Sequence, residues 1–248
     1  MILLSFSQRW AAFQYPHDVH VGEMMNDGGW LIPVAVVSGI SGILALILGV
    51  SFYLDKKRRQ QWLEVASALG FESLPIYPVE LDGIVGSSQL MTTGRQRAWT
   101  NIFKRQVDSL GVILCDYRYT IGAGKNSTTW QQTVILFCSP SINAPRFEIK
   151  PEGWLHKVGE LVGFQDIDFV ESPEFSKKYL LTGNDETAIR DFLRPEILQL
   201  LVGFKNLCLE VRPGSLMFWF DRKRISPSEF NVIFEQAFSV YTAITQPS

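Results

Sequence analysis

The chain has 248 residues, of which 46% are hydrophobic and 12% aromatic, which is enough apolar material for a membrane span and a well-packed domain. Its 23 basic and 25 acidic side chains nearly balance, and beyond Arg59 the acidic residues slightly outnumber the basic ones. A slightly acidic domain lacks the positive surface typical of nucleic-acid-binding proteins, so we expect no nucleic-acid partner.

Residues 1–29 form a tail without a sustained hydrophobic period, and we expect this tail to lie outside the cytoplasm. Met24 and Met25 stand directly before the first long apolar run. The start of the protein could therefore be Met1 or one of these two methionines, and in the second case only a handful of residues would precede the run.

The segment Leu31–Leu54 is predicted to be a transmembrane helix, because its 24 residues carry no charge. At about 1.5 Å per residue it reaches roughly 36 Å, enough to cross a lipid bilayer with a hydrocarbon core of about 30 Å. Small residues recur at four-residue spacing and would permit a homo-oligomer through this helix, although such residues are common in membrane helices generally. These small residues are Ser38, Ser41, Gly42, Ala45 and Gly49.

Four consecutive bases, Lys56 to Arg59, follow the span directly and predict its orientation. Positively charged flanks stay in the cytoplasm, so the amino terminus should lie outside and the large domain inside the inner membrane of the cell. A cleavable signal peptide is a poorer interpretation, because the apolar core is too long and its basic flank comes after the core.

Residues 55–70 are predicted to be a basic juxtamembrane helix, and residues 71–248 a cytoplasmic domain. The helix ends at Gly70, a residue common just beyond helix ends. Its apolar residues fall at helical spacing, which indicates that one face docks on the domain. They are Trp62, Leu63, Ala66 and Leu69.

Two β-hairpins are the clearest features of the domain. The first joins Leu110–Thr120 to Thr129–Cys138 across a polar connection that contains glycine. The second joins Leu207–Val211 to Leu216–Phe220 across a proline and a glycine. All four runs are rich in β-branched and aromatic residues, which favour strands.

Further strands are predicted at Phe147–Lys150 and Tyr179–Thr182. An imperfect alternation beginning at Ala98 indicates another strand, with Trp99 and Phe103 on the same face.

Helices are predicted between and after these strands. Asn184 is expected to cap one helix, and Trp154–Val162 and Ile197–Val202 are two more helical stretches. A capping box, Ser226–Glu229, opens a C-terminal amphipathic helix. Hairpins mixed with helices predict an α+β fold with a mostly antiparallel sheet and packed helices.

Two stretches resemble a group of uncharacterised prokaryotic single-pass membrane-anchored proteins. One is CDYRYTIGAGK followed by QQTVILF, and the other is SPEFSKKYLLTGNDETAIRDFL followed by an apolar run. The resemblance covers about Trp62 to Phe220 and implies a bacterial inner-membrane protein with a cytoplasmic α+β domain. It brings no active-site residues. Its shared residues look structural: a strand aromatic (Tyr117 or Tyr119), a cap (Asn184) and a core position (Phe175).

The three cysteines, Cys115, Cys138 and Cys208, show no C-x-x-C spacing and no nearby histidine pair, so no zinc site is predicted. They are expected to be free thiols in a reducing compartment. Cys115 and Cys138 are expected nearly opposite one another if the turn of the first hairpin centres near Lys125.

Other residue patterns suggest chemistry but have simpler interpretations. Gly122–Lys125 lacks the first glycine and the final Ser or Thr of a phosphate-binding loop, which favours a hairpin turn. Asp166 and Asp168 would share one face of an extended segment and could bind a hard cation or act as an acid/base pair; a solvated strand edge is the simpler interpretation. His156 is not predicted to be a catalytic base, because the domain has no G-x-S-x-G motif that would supply a nucleophile. We therefore predict no catalytic, cofactor-binding or metal-binding residue.

Seven bases of the domain could join Lys56–Arg59 in contacting anionic lipid headgroups, with solvated loop charges as the alternative. They are Arg95, Arg97, Lys104, Arg105, Arg222, Lys223 and Arg224. The sequence predicts a membrane-tethered interaction or scaffold domain that binds a protein partner or the membrane itself. An enzyme that uses Asp166 and Asp168, or a small-ligand sensor that signals through the transmembrane helix, is the alternative.

Overall fold

The computed structural model describes residues 31–154 and 166–246, which belong to two compact units, residues 1–56 and 57–248. Helix α1 (Leu31–Ala68) contributes to both units. It contains an 18-residue window of mean hydropathy 2.3 with none of that window buried, so its length and composition suffice for a membrane span. The predicted tail, His156 and the predicted helix beyond Trp154 lie outside the described residues.

The second unit, hereafter the α+β domain, is built on one eight-stranded sheet in the order β1-β2-β3-β4-β8-β7-β5-β6. Every pairing in this sheet is antiparallel, which confirms the predicted fold class. The strands are β1 (Glu72–Leu74), β2 (Arg95–Val107), β3 (Leu110–Ile121), β4 (Thr128–Cys138), β5 (Phe147–Pro151), β6 (Tyr179–Gly183), β7 (Leu207–Arg212) and β8 (Ser215–Phe220).

Within the described residues, the helices that follow α1 are α2 (Asp82–Ser87), α3 (Gln89–Thr92), α4 (Pro173–Lys178), α5 (Glu186–Phe192), α6 (Pro195–Val202) and α7 (Phe230–Thr245). These helices cover both faces of the sheet. The last turns of α1 and the helices α5, α6 and α7 pack on one face and form the main hydrophobic core with it. The short helices α2 and α3 cover the other face over a second apolar cluster.

Both predicted hairpins are present, as β3–β4 and β7–β8. The cysteine prediction, however, is wrong: Cys115 lies opposite Val134, and Cys138 lies opposite Gly111. The turn is centred between Gly124 and Lys125. The residue opposite Cys115 is therefore Val134, which lies four positions before Cys138. The side chains of Cys115, Cys138 and Cys208 are all free thiols.

The prediction that Trp99 and Phe103 share a face is also wrong. The β2–β3 pairing shifts between Thr100 and Phe103, and Asn101 has a φ of 49°. This bulge inserts a residue and reverses the alternation beyond it. As a result Trp99 packs against the second apolar cluster, whereas Phe103 lies in the main core.

The helix predicted at Ile197–Val202 begins two residues earlier, at Pro195, and ends at Val202 as predicted. The side chain of Asp185, rather than Asn184, accepts the capping hydrogen bond from the Ala188 N–H at 3.0 Å, which corrects the predicted cap. The capping box of Ser226 and Glu229 is formed, and a 3-10 turn there leads into α7.

Candidate functional site around Asp116

One charged residue lies in the middle of the apolar strand β3. Asp116 is 5% exposed, and its neighbours on both sides are buried. Burial of a carboxylate costs free energy unless the group is paired and hydrogen-bonded. The residues that bind Asp116 therefore define a site on which the stability of the fold depends.

The main partner of Asp116 is Arg58, the second residue of the α+β domain. Its Nε donates to Asp116 Oδ2 and its Nη2 donates to Oδ1, both at 2.8 Å. Arg58 Nη2 also donates to the carbonyl oxygen of Ile225 at 2.8 Å. This two-point geometry makes the pair directional as well as electrostatic.

Three further side chains complete the cluster, and each comes from a different part of the domain. Thr133 on β4 donates to Asp116 Oδ1 at 2.6 Å, and Asn101 at the β2 bulge donates to Oδ2 at 2.9 Å. Arg224, in the loop between β8 and α7, donates to Oδ2 at 3.4 Å. Asp116 therefore joins α1, three strands and that loop.

The surroundings of Asp116 favour its charged form. Burial alone would raise the pKa of this carboxyl group. The hydrogen bonds and the positive charge of Arg58, with the hydrogen bonds from Thr133 and Asn101, outweigh burial and leave the pKa below its ordinary value. Asp116 is thus suited to hold a structural ion pair, and it is a poor proton donor or acceptor near neutral pH.

Trp62 fixes the same part of α1 by apolar contact. Its ring is 1% exposed and packs edge-on against Phe230 and at a tilt against Phe103, with centroids 5.2 and 6.2 Å away. The guanidinium of Arg58 lies 5.5 Å from the Trp62 ring centroid. Arg58 and Trp62 together show that the last turns of α1 are part of the domain core.

A second buried polar cluster lies under α2 and α3, on the opposite face of the sheet. Glu210 is 3% exposed; it accepts a hydrogen bond from the Leu90 N–H at 2.7 Å and pairs with Arg212 at 3.3 Å. Burial, followed by the charge of Glu148, raises the pKa of Glu210. Glu148 itself pairs with Lys150 at 2.8 Å. These groups attach the helical cover to the sheet.

The two acidic candidates from the sequence do share a face. Asp166 and Asp168 are exposed, while Ile167 between them is buried. The Leu181 N–H donates to Asp166 Oδ1 at 3.1 Å, and the Ile167 N–H donates to the Leu181 carbonyl at 2.9 Å. The Asp166 carboxylate therefore binds the backbone of β6, the strand at the edge of the sheet, and holds its own segment there.

The remaining chemical candidates have structural surroundings as well. Gly122–Lys125 leads through a 3-10 turn (Gly124–Asn126) into strand β4 rather than into an α-helix, as expected of a hairpin turn. Among the described residues there is no group of three His, Cys, Asp or Glu side chains that could hold a metal ion.

A cavity of about 330 Å³ lies beside the loop that follows β8, and one of about 210 Å³ lies beside the end of β6. Neither is lined by Asp116 or Asp166.

The Asp116 site was not found from the sequence, although the sequence carries a signal for it. Asp116 is the only charged residue between Leu110 and Tyr117, a run that otherwise reads as a buried strand. A charge at such a position requires a partner of opposite sign. The sequence does not reveal that the partner is Arg58, since the basic cluster Lys56–Arg59 already has an interpretation as the cytoplasmic flank of the predicted span.

No protein-family model matches the chain, and no curated protein matches it. Among solved structures, the chain is similar to the crystal structure of the mycobacterial trehalose monomycolate transport factor A, TtfA. The TM-score is 0.50 and the sequence identity 10%, over 76% of this chain and 91% of that chain. At this identity the similarity concerns the fold alone.

Proposed function

We propose that the chain is a membrane-anchored interaction domain, in which α1 spans the inner membrane and the α+β domain binds a protein partner at the cytoplasmic surface. The observation that carries this proposal is the Arg58–Asp116 pair. Only Asp55, Lys56 and Lys57 lie between Leu54 and Arg58, so at most about 14 Å of chain separates the predicted span from a buried contact of the domain. Such a short tether suits a protein that acts on partners at the membrane.

The structural use of three acidic side chains supports binding over catalysis. Asp116, Glu210 and Asp166 are hydrogen-bonded to the helices, strands or loops that they hold in place. Perturbed groups that serve chemistry normally face a pocket. The alternative of an enzyme using Asp166 and Asp168 is therefore the weaker one.

A part of the surface is suited to a protein partner. The segment between β1 and α2 contains Ile76 and Val79, which are 73% and 70% exposed. Contiguous exposed apolar surface is typical of contact sites, and we infer that these two side chains belong to such a surface. The fold similarity to TtfA, described as a transport factor, is compatible with a role in a membrane-associated assembly.

Crosslinking in native membranes tests this function. A photo-reactive amino acid at position 76 or 79 should give a discrete protein adduct, and the same group in place of exposed Glu196 on α6 is the matched control. The absence of a protein adduct at positions 76 and 79, or an equal adduct at 196, would contradict the proposal.

A protease test addresses the orientation. A tag at the carboxyl terminus should resist protease added to intact cells and become digestible after the inner membrane is opened. Digestion in intact cells would show that the domain lies outside.

A further inference from the structure

The contacts of α1 define which end of the α+β domain receives the chain. Arg58 lies at Asp116 of β3, and Trp62 lies at Phe103, which pairs with Leu114. The helix therefore runs along β3 toward lower residue numbers, away from the β3–β4 turn. We call the end of the domain that carries this turn and the loop between β8 and α7 the proximal end, because the chain enters the domain from that side.

Basic side chains collect at the proximal end, although the domain as a whole is slightly acidic. Arg95 lies opposite Thr120 near the turn, whereas Lys104 and Arg105 pair with Ile113 and Val112 nearer the other end of the sheet. The fold thus divides the basic residues that the sequence grouped together. The bases at the proximal end are Arg95, Arg118, Lys125, Arg222, Lys223 and Arg224.

The acidic groups nearby neutralise only part of this charge. Asp221 pairs with Arg222 at 3.5 Å, and Glu229 lies 3.7 Å from Lys223. Asp116, which is buried beneath Arg58, also pairs with Arg224 at 3.4 Å. Arg118 and Lys125 are exposed on the β3–β4 hairpin, so their charge faces solvent.

We propose that the proximal end is a docking surface for an anionic lipid bilayer. The β3–β4 hairpin extends five residues beyond Asp116, to Ile121, which is about 17 Å at the usual rise of a strand. This reach is comparable to the longest possible tether between the predicted span and Arg58. A hairpin of this length can therefore bring its tip within the Debye length of about 8–10 Å over which anionic headgroups attract basic side chains.

An acidic protein segment would match the same charge. The predicted span, however, is joined to the proximal end by only three residues, which keeps the bilayer near this end of the domain. Continuity of the chain therefore favours the membrane as the occupant. The inference rests on the proposed membrane anchor, and it adds that the domain binds the surface as well as being tethered to it.

Amide hydrogen exchange on the full-length chain in lipid nanodiscs tests the docking. One set of discs contains phosphatidylcholine alone, and in the other phosphatidylglycerol replaces part of it. We expect exchange at residues 122–127 to be several-fold slower in the anionic discs, and this difference to shrink as salt is raised. Residues 106–111, at the opposite turn, should exchange equally in both.

Two variants with the same change in net charge sharpen the result. R118Q/K125Q removes two exposed bases from the proximal end, and Q106E/S109E adds two acids at exposed positions of the opposite end. The first variant should lose the effect of anionic lipid on residues 122–127, and the second should keep it. Unchanged exchange within β3 and β4 would show that both variants are folded.

Equal exchange of residues 122–127 in the two kinds of disc would overturn the docking surface, as would equal losses in the two variants. Size-exclusion chromatography of the same samples separates this failure from failure of the anchor. A chain that stays in the discs without lipid-dependent protection refutes the docking surface alone, whereas a chain that leaves the discs refutes the anchor.

Discussion

At the scale of single residues, the stability of the domain depends on Asp116 keeping its partners. We predict that Asp116→Ala or Arg58→Ala lowers the free energy of unfolding by about 3–5 kcal/mol, because the first leaves Arg58 without its counterion and the second leaves the buried Asp116 with only the longer ion pair to Arg224. The double variant should cost less than the sum of the two, since the residues are in contact. Urea unfolding of the four proteins measures this coupling.

The exposed pair Arg190–Glu186 on α5 provides the control for that cycle. Its side chains are 36% and 46% exposed, and its ion pair measures 2.7 Å. Arg190→Ala should cost only about 0.3–0.5 kcal/mol, as is usual for exposed helical pairs. If Asp116→Ala costs no more than Arg190→Ala, the Asp116 cluster does not stabilise the domain.

The lowered pKa of Asp116 predicts a dependence of stability on pH. Its folded pKa lies below the unfolded value of about 3.9, so its contribution is complete above that value and is lost as pH falls through the folded pKa. Relative to Asp116→Asn, the native protein should therefore be more stable at pH 6, and the difference should shrink below about pH 4. Urea midpoints of both proteins across this range measure it; a difference that grows on acidification would contradict the assignment.

At the scale of elements, the sequence predicts what local chemistry determines. The two hairpins and the α7 capping box are formed as predicted, because turn residues, alternation and capping are local signals. The bulge at Asn101 was missed, since its side chain is held by Asp116 from the neighbouring strand. Likewise, Asn184 and Asp185 are both good capping residues, and only the helix geometry selects Asp185.

The β3–β4 turn offers a prediction with a built-in control. Gly122 has a φ of +75°, and a Cβ there would clash with the backbone carbonyl oxygen of Asn126; Gly124 has a φ of +55° with open space around it. Gly124→Ala should cost about 1–2 kcal/mol for the left-handed backbone, and Gly122→Ala should cost more. Thermal unfolding compares the two variants, and an equal loss would show that the turn rearranges around the added methyl group.

At the scale of the whole molecule, the question is where the domain begins. Composition places its start at residue 71, after the basic helix, whereas the compact unit in the structure starts at Lys57. The difference is fourteen residues that include Arg58, Trp62 and Ala66. The side chains of Trp62 and Ala66 are 1% and 0% exposed, so a domain without them would have an open core.

Two fragments distinguish these boundaries. A fragment of residues 57–248 should unfold cooperatively, because it keeps the counterion of Asp116 and the ring that packs on Phe103 and Phe230. A fragment of residues 71–248 should melt at a much lower temperature or aggregate, since truncating a buried tryptophan alone typically costs about 3–5 kcal/mol. Trp62→Ala in the longer fragment is the intermediate case and should melt between the two. Equal melting temperatures for the two fragments would mean that the end of α1 contributes nothing to the fold, and the short tether inferred from Arg58 would then have no structural basis.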